Sequence, residues 1–121
     1  MNDNITNQSL GTKRSIIEQD VELMGDISFS QDILVRGRIT GNVLAPLDSD
    51  GKVMVQEGGV ITGEVRAPYV IVTGKIIGNI FATKRLSIAS SAQIEGDIHY
   101  GSLEMEQGAS INGLLVAMGK Q

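Results

Sequence analysis

The chain repeats one short pattern, in which a glycine has an aliphatic residue two positions before it and another two positions after it. The pattern occurs six times, as Leu23-Gly25-Ile27, Ile39-Gly41-Val43, Ile61-Gly63-Val65, Ile76-Gly78-Ile80, Ile94-Gly96-Ile98 and Ile111-Gly113-Leu115. Successive glycines are 16, 22, 15, 18 and 17 residues apart. A repeat this short, built on alternating residues, predicts an all-β solenoid of about six coils, each stacked on the coil before it.

The predicted coils have two lengths. In a long coil an aliphatic pair precedes the glycine motif by a bend of five residues, as in the segments 53–65, 86–98 and 103–115. In a short coil the bend is shorter and holds one extra glycine, and the two short coils, 33–43 and 70–80, match position for position at an offset of 37 residues. Strict alternation directs every second side chain inward. The repeated glycine is expected at a corner, where a side chain would crowd the axis or forbid the bend.

The remaining segments and the composition set limits on the protein class. We expect a flexible polar tail over residues 1–15, a β-helix over 16–116, a short tail over 117–121 and a surface loop over 46–51. Aromatic residues make up only 3% of the chain and cysteine is absent, which suits a narrow interior of stacked Val, Ile and Leu without disulfides. The net charge of −4 argues against nucleic-acid binding. Without a signal-peptide pattern or a long apolar run, the chain is expected to be cytoplasmic, with at most peripheral membrane contact.

The hand of the solenoid follows from the spacing of its aliphatic residues. Left-handed solenoids use strict hexads, with one aliphatic residue every six positions. The intervals here are irregular and the glycine lies within the strand pattern. The sequence therefore favours a single-stranded right-handed β-helix, with the left-handed form as the alternative.

One outward column, the position after each glycine, alternates acids and amides. It reads Asp26, Asn42, Glu64, Asn79, Asp97 and Leu114. One interpretation is structural, because alternation keeps like charges apart while polar tips hydrogen-bond between coils. The alternative is a calcium ladder, but the carboxylates are separated by whole coils and no calcium-loop motif is present. We expect no metal site.

Two further outward columns carry apolar residues. One reads Leu34, Met54, Ile71, Ser87 and Glu104, and the other reads Leu44, Arg66, Phe81, His99 and Val116. An outward apolar stripe predicts contact with a partner, another rod or a membrane surface. Alternatively, the tail or the loop at 46–51 covers it, or local twist turns these positions inward. The candidate lateral patch for a partner comprises Leu34, Met54, Ile71 and Phe81.

No catalytic arrangement is apparent. His99 is the only histidine, so a zinc site built from several histidines cannot form. Gly58-Gly59 is not followed by the Gly-Lys-Ser/Thr of a phosphate loop, and Ser90-Ser91 has no neighbouring base. The sequence therefore predicts neither an enzyme nor a cofactor.

The repeats resemble those of the bactofilins, a family of polymer-forming bacterial cytoskeletal proteins. The resemblance rests on Ala92-Gln93-Ile94-Glu95-Gly96-Asp97-Ile98, on the closing segment 103–113 with its Gly-Ala-x-Ile-x-Gly, and on the order of long and short coils. It implies a right-handed β-helix with disordered tails and nucleotide-independent, end-to-end filaments. It also implies a scaffold near the inner face of the cell membrane, tied to cell shape or to cell-wall enzymes. Some members carry an apolar membrane-targeting segment, which the polar residues 1–15 lack.

The open ends of a solenoid supply a mechanism for such assembly. Terminal coils expose unpaired backbone groups and one side of the core, and residues 117–121 are too short for a capping helix. The candidate polymer interface is therefore Ile17, Val21, Leu23 and Ile27 at one end and Ile111, Leu114, Leu115 and Val116 at the other. Alternatives are capped ends, a non-polymerising binding module, a solenoid acyltransferase, which needs the hexads that this chain lacks, and a solenoid cell-division regulator, which carries an additional domain.

Overall fold

The computed structural model describes residues 14–29, 31–46 and 49–118, and within these ranges it contains β-strands and no helix. Most of the two predicted tails therefore lies outside the described residues. The strands are β1 (Arg14–Ile17), β2 (Glu22–Met24), β3 (Ile27–Ser28), β4 (Asp32–Val35), β5 (Arg38–Thr40), β6 (Val43–Leu44), β7 (Lys52–Val55), β8 (Val60–Thr62), β9 (Val65–Val72), β10 (Lys75–Ile77), β11 (Ile80–Ile88), β12 (Gln93–Glu95), β13 (Ile98–Tyr100), β14 (Leu103–Met105), β15 (Ser110–Asn112) and β16 (Leu115–Ala117).

The strands wind into six coils with three faces, which confirms the predicted β-solenoid. On the second face β2, β5, β8, β10, β12 and β15 pair in chain order, and every pair is parallel. The first face runs from β1 through β4 and β7, and the third face from β3 through β6. The long strands β9 and β11 turn the corner between these two faces, so each belongs to both. The predicted hand of the helix stays a prediction.

The core is a stack of aliphatic side chains from all three faces. On the second face Ile39, Ile61, Ile76 and Ile94 lie in register on successive coils, and each is almost completely buried. No polar or charged residue of the described chain is buried in this interior. Each buried aliphatic side chain contributes roughly 1.5–3 kcal/mol of transfer free energy, and no coil could bury its apolar face alone.

The repeated glycines lie at the corner between the second and third faces. Gly41, Gly63, Gly78, Gly96 and Gly113 all have a positive φ between 139° and 155°. A Cβ at any of these glycines would also lie 2.0–2.2 Å from the carbonyl oxygen of the corner glycine in the preceding coil. The corner position agrees with the prediction. The structure adds that the close neighbour is the backbone of the coil below.

The extra glycine of the short coils is also explained by close approach to backbone of the preceding coil, but at a different corner. A Cβ at Gly74 would lie 2.3 Å from the carbonyl oxygen of Gln56 and 2.6 Å from that of Gly59. Gln56 and Gly59 begin and end a turn of the preceding long coil, closed by a hydrogen bond from the Gly59 N–H to the Gln56 carbonyl. The short coil therefore passes directly against a turn, and only glycine leaves room for the approach.

Two features of the first coil could not be read from the repeat. Ser15 occupies the inward position that an aliphatic residue holds in the other long coils, and it pairs with Ile33. Phe29 belongs to the hydrophobic core with Ala45, although the low aromatic content suggested an interior without aromatic rings. A Cβ placed on Gly51 would lie 3.4 Å from the Phe29 ring, so the ring extends along the rod past the small Ala45 side chain.

Candidate functional site

The last coil, β14 to β16, leaves core-forming side chains open to solvent. Met105 and Leu115 occupy inward positions, in register with Ile88 and Ile98, yet 45% and 42% of their surfaces are exposed. Ile111 is half-buried, and Leu114 and Val116 are exposed beside it. The four residues predicted for this end therefore lie together on one terminal coil, and the structure adds Met105 to them.

The first coil, β1 to β3, differs from the last coil in which side chains it exposes. Ile17 is buried, and Leu23 and Ile27 are half-buried and pack against the core. The outward-facing Met24 has 78% of its surface exposed, and Ile16 is exposed too. The four predicted residues again share one coil, with Val21 exposed at its turn. Sequence reasoning missed Met24 because the outward columns that it followed do not include the position before the glycine, although an apolar residue at an outward position was a usable signal.

The acid–amide column forms a ladder of hydrogen bonds along the corner. The side-chain oxygen of one coil accepts a hydrogen bond from the backbone N–H at the same position of the next coil. The donor–acceptor pairs are Asn42 N to Asp26 Oδ1, 3.1 Å, Glu64 N to Asn42 Oδ1, 3.0 Å, Asp97 N to Asn79 Oδ1, 3.0 Å, and Leu114 N to Asp97 Oδ1, 3.2 Å. The structural interpretation is therefore correct in kind, but the donors are backbone amides rather than side-chain tips. The ladder ends at Leu114, whose side chain has no oxygen to accept a further hydrogen bond.

Glu64 leaves this ladder for an ion pair on the third face. Its carboxylate pairs with Arg66, whose guanidinium lies 4.7 Å from the centre of the Phe81 ring. The Phe81 ring stacks on His99 with centroids 4.5 Å apart and an interplanar angle of 7°. Three planar groups on consecutive coils therefore form one outward column, as the register of a solenoid requires.

The apolar stripe on the first face begins one coil earlier than predicted. Ile16, Leu34, Met54 and Ile71 lie in register on consecutive coils, followed by Ser87 and Glu104. Leu34 is only 6% exposed, whereas Met54 and Ile71 are half-buried.

A groove of about 590 Å³ borders the stripe, lined in part by Lys52, Tyr69, Ile71 and Arg85. Leu34, Met54 and Ile71 are thus brought together, while Phe81, predicted for the same patch, lies on the third face.

The described part of the chain contains neither a metal-ligand cluster nor a membrane-spanning helix. Within residues 14–29, 31–46 and 49–118, no group of three or more His, Cys, Asp or Glu side chains is placed to hold a metal ion. The same ranges contain no helix long and apolar enough to cross a membrane.

Comparison with known proteins places this fold. The family model for bactofilins, described as polymer-forming cytoskeletal proteins, matches residues 15–116. The chain is 27% identical over 105 residues to bactofilin BacP of Myxococcus xanthus, strain DK1622, covering 87% of this chain but 42% of BacP. It is 23% identical over 99 residues to bactofilin BacO of the same strain, covering 82% of this chain and 75% of BacO. No solved structure matches the chain. With six glycine-cornered coils in the structure and a family model that spans nearly all of them, the chain belongs to the bactofilin family.

Proposed function

We propose that the protein is a structural subunit that assembles end to end into filaments without nucleotide. The filaments act as a scaffold for cell shape or cell-wall machinery at the inner face of the cell membrane. The observation that carries this proposal is the last coil, where the inward-facing Met105 and Leu115 are 45% and 42% exposed. The inward residues of the middle coils, such as Ile61 and Ile76, are completely buried.

Backbone hydrogen bonding supports the same proposal. Among the described residues, β14, β15 and β16 pair only with strands of the preceding coil, so their other sides carry free N–H and C=O groups. An edge with both unpaired backbone groups and apolar side chains favours pairing with another chain. An end that contacts an end, repeated from copy to copy, produces a fibre.

The proposed contacts occupy both ends of the rod. Ile111, Leu114, Leu115 and Val116 supply one surface, and Ile17, Val21, Leu23 and Ile27 supply the other. Because the inward residues of the first coil are more buried than those of the last, we expect the last coil to contribute more apolar area to a contact.

Electron microscopy of the purified protein tests this proposal. Negative staining without nucleotide is expected to show filaments, and Leu115→Glu is expected to give short or monomeric particles with an unchanged β-sheet circular dichroism spectrum. Thr62→Glu, an exposed position on β8 in the middle of the rod, is the matched charge control and should leave filaments intact. Small particles from the unaltered protein across salt and protein concentration would contradict the proposal.

A second function, recruitment of a partner protein through the side of the rod, is compatible with the first. It is favoured by the half-buried Met54 and Ile71 beside the groove of about 590 Å³ on the first face. Cell-wall enzymes or membrane proteins would be the partners of such a scaffold. Loss of recruitment in a variant of this face that still forms filaments would separate the two functions.

A further inference from the structure

Over the first five coils, the corner between the first and second faces alternates between protruding turns and recessed bends. In the long coils a four-residue turn is closed by a hydrogen bond between its fourth and first residues, at 18–21, 56–59, 89–92 and 106–109. In the short coils the bend is shorter and passes through Gly37 or Gly74, against the preceding turn. Each short coil therefore leaves a notch between the turns of its two long neighbours.

The first notch is spanned by an arginine of the short coil itself. The Arg36 Nε donates a hydrogen bond to Gln56 Oε1 at 3.2 Å, and its Nη1 lies 3.5 Å from Glu18 Oε1. Glu18 and Gln56 are the first residues of the turns on either side of this notch. One guanidinium group therefore bridges the first and third coils across the second.

The second notch has Thr73 where the first has Arg36, at the offset of 37 residues that relates the two short coils. A cavity of about 240 Å³ is found here, lined in part by Glu57, Thr73, Lys75, Ser91 and Gln93. Ser91 Oγ donates a hydrogen bond to the Thr73 carbonyl at 2.9 Å, so this carbonyl is already satisfied. Within the described residues, the Glu57 carboxylate, an exposed acid at the rim, forms no ion pair.

We propose that this second notch, the Thr73 notch, is a binding site for an arginine side chain of a partner protein. A guanidinium is a planar fork of five donors, and Glu57 and Gln93, which line the notch, carry a carboxylate and an amide oxygen that can accept from it. Arg36 shows that a guanidinium can bridge two turns across a short coil. At the Thr73 notch the flanking turns begin with Gln56, whose oxygen accepts from Arg36, and with Ala89. The acceptors proposed here are therefore Glu57 and Gln93 instead. The Lys75 ammonium opposes an incoming cation, but its long stem allows the charge to move into solvent. The net charge of −4 attracts a basic partner at long range.

The Thr73 notch lies in the fourth of six coils, on the side of the rod, so contacts at the ends leave it open. If the ends polymerise as proposed above, a filament presents one such notch per subunit. A partner with several arginines then binds with higher overall affinity, because it occupies several notches at once. This repetition rests on the proposed function, whereas arginine binding to a single rod does not.

A substitution that fills the notch tests its geometry in the intact chain. Thr73→Arg is expected to raise the melting temperature above that of Thr73→Met, which adds a chain of similar reach without donors. The Arg-specific gain is expected to shrink when Glu57→Gln is added. Equal melting temperatures for the two Thr73 variants, or a gain that is indifferent to Glu57→Gln, would overturn the proposal.

Binding of a separate arginine is tested with acetyl-Gly-Arg-Gly-amide by saturation-transfer difference NMR, which tolerates large assemblies. The peptide should give a signal that its citrulline analogue does not, and Thr73→Arg should abolish it. Glu57→Gln is expected to weaken binding roughly threefold, the size typical of an exposed charge pair, and Lys75→Gln is expected to strengthen it. Opposite signs for these two variants would contradict the roles of Glu57 and Lys75 and overturn the proposal, as would equal signals from the arginine and citrulline peptides. Each of these readouts can be measured on single rods and on filaments. Failure of the arginine-site proposal is therefore distinguishable from failure of the polymerisation proposal.

Discussion

A Cβ on Gly78 would lie 2.1 Å from the carbonyl oxygen of Gly63, the corner glycine of the preceding coil. Equivalent distances recur at Gly41, Gly63, Gly96 and Gly113, so one row of glycine backbones runs along a whole edge of the rod. Gly58 also has a positive φ, of 92°, but no atom lies within 4 Å of its Cβ position. A side chain is disfavoured by the backbone conformation at both sites, and at Gly78 it would also clash with backbone of the preceding coil.

Gly78→Ala is expected to destabilise the protein far more than Gly58→Ala. The Gly58 variant carries only the left-handed backbone penalty of roughly 1–2 kcal/mol. The Gly78 variant adds a clash with backbone that cannot move without disrupting the coil ladder, for a total of about 4 kcal/mol or more. Urea denaturation followed by circular dichroism measures both free energies of unfolding. Similar losses at the two positions would show that close packing is not the reason for the glycine row.

Asp97→Ala is expected to reduce the free energy of unfolding by about 1 kcal/mol, because the N–H of Leu114 loses its acceptor. Asp97→Asn keeps an oxygen at the same position, so it is the matched control and should retain most of the stability. Hydrogen exchange of the Leu114 amide gives a local readout, with faster exchange expected in the alanine variant. Unchanged exchange at that amide would mean that the ladder hydrogen bond contributes nothing to the last coil.

Met24→Glu is expected to shorten filaments without affecting the fold, provided that the first coil is a contact surface. The Met24 side chain is 78% exposed, so a charge there has little effect on the stability of a single rod. In a contact the same charge would be buried without a partner, which is strongly unfavourable. Met24→Gln, with similar length and no charge, is the control. Filament lengths from negative-stain images decide the outcome, and normal filaments with Met24→Glu would remove this residue from the interface.

Ile71→Lys is the cleaner probe of the lateral stripe, and Leu34→Lys is the less specific one. Ile71 is half-buried, and the stem of a lysine can cover the same surface while its charge stays in water. Leu34 is only 6% exposed, so a lysine there is expected to lower stability by roughly 3 kcal/mol. A pull-down from cell extract with Ile71→Lys filaments should lose a partner that the unaltered filaments retain. Recovery of the same partners with both would exclude this stripe as a docking surface.

The repeat predicted the solenoid because alternation and corner glycines are local requirements that every coil must meet. Ile61, for example, points inward for the same reason in any stacked coil, so its burial follows from its place in the pattern. The two lengths of coil were also visible, since the shortened bends carry the extra Gly37 and Gly74. The single His99 argued against a zinc site built from several histidines, and the lack of hexads argued against a solenoid acyltransferase.

Tertiary structure decided what depends on the neighbours of a residue in other coils. Leu34 and Ile71 have the same pattern in sequence, but one is buried and the other is partly accessible. Likewise, Arg36 and Thr73 are equivalent in the repeat, yet only the stacked turns reveal that one notch is bridged and the other is open. The physical reason is the sequence separation of the residues that determine each property. The inward or outward direction of a side chain is fixed within its own coil, whereas its exposure and partners are set by residues 15 to 22 positions away that stacking brings into contact.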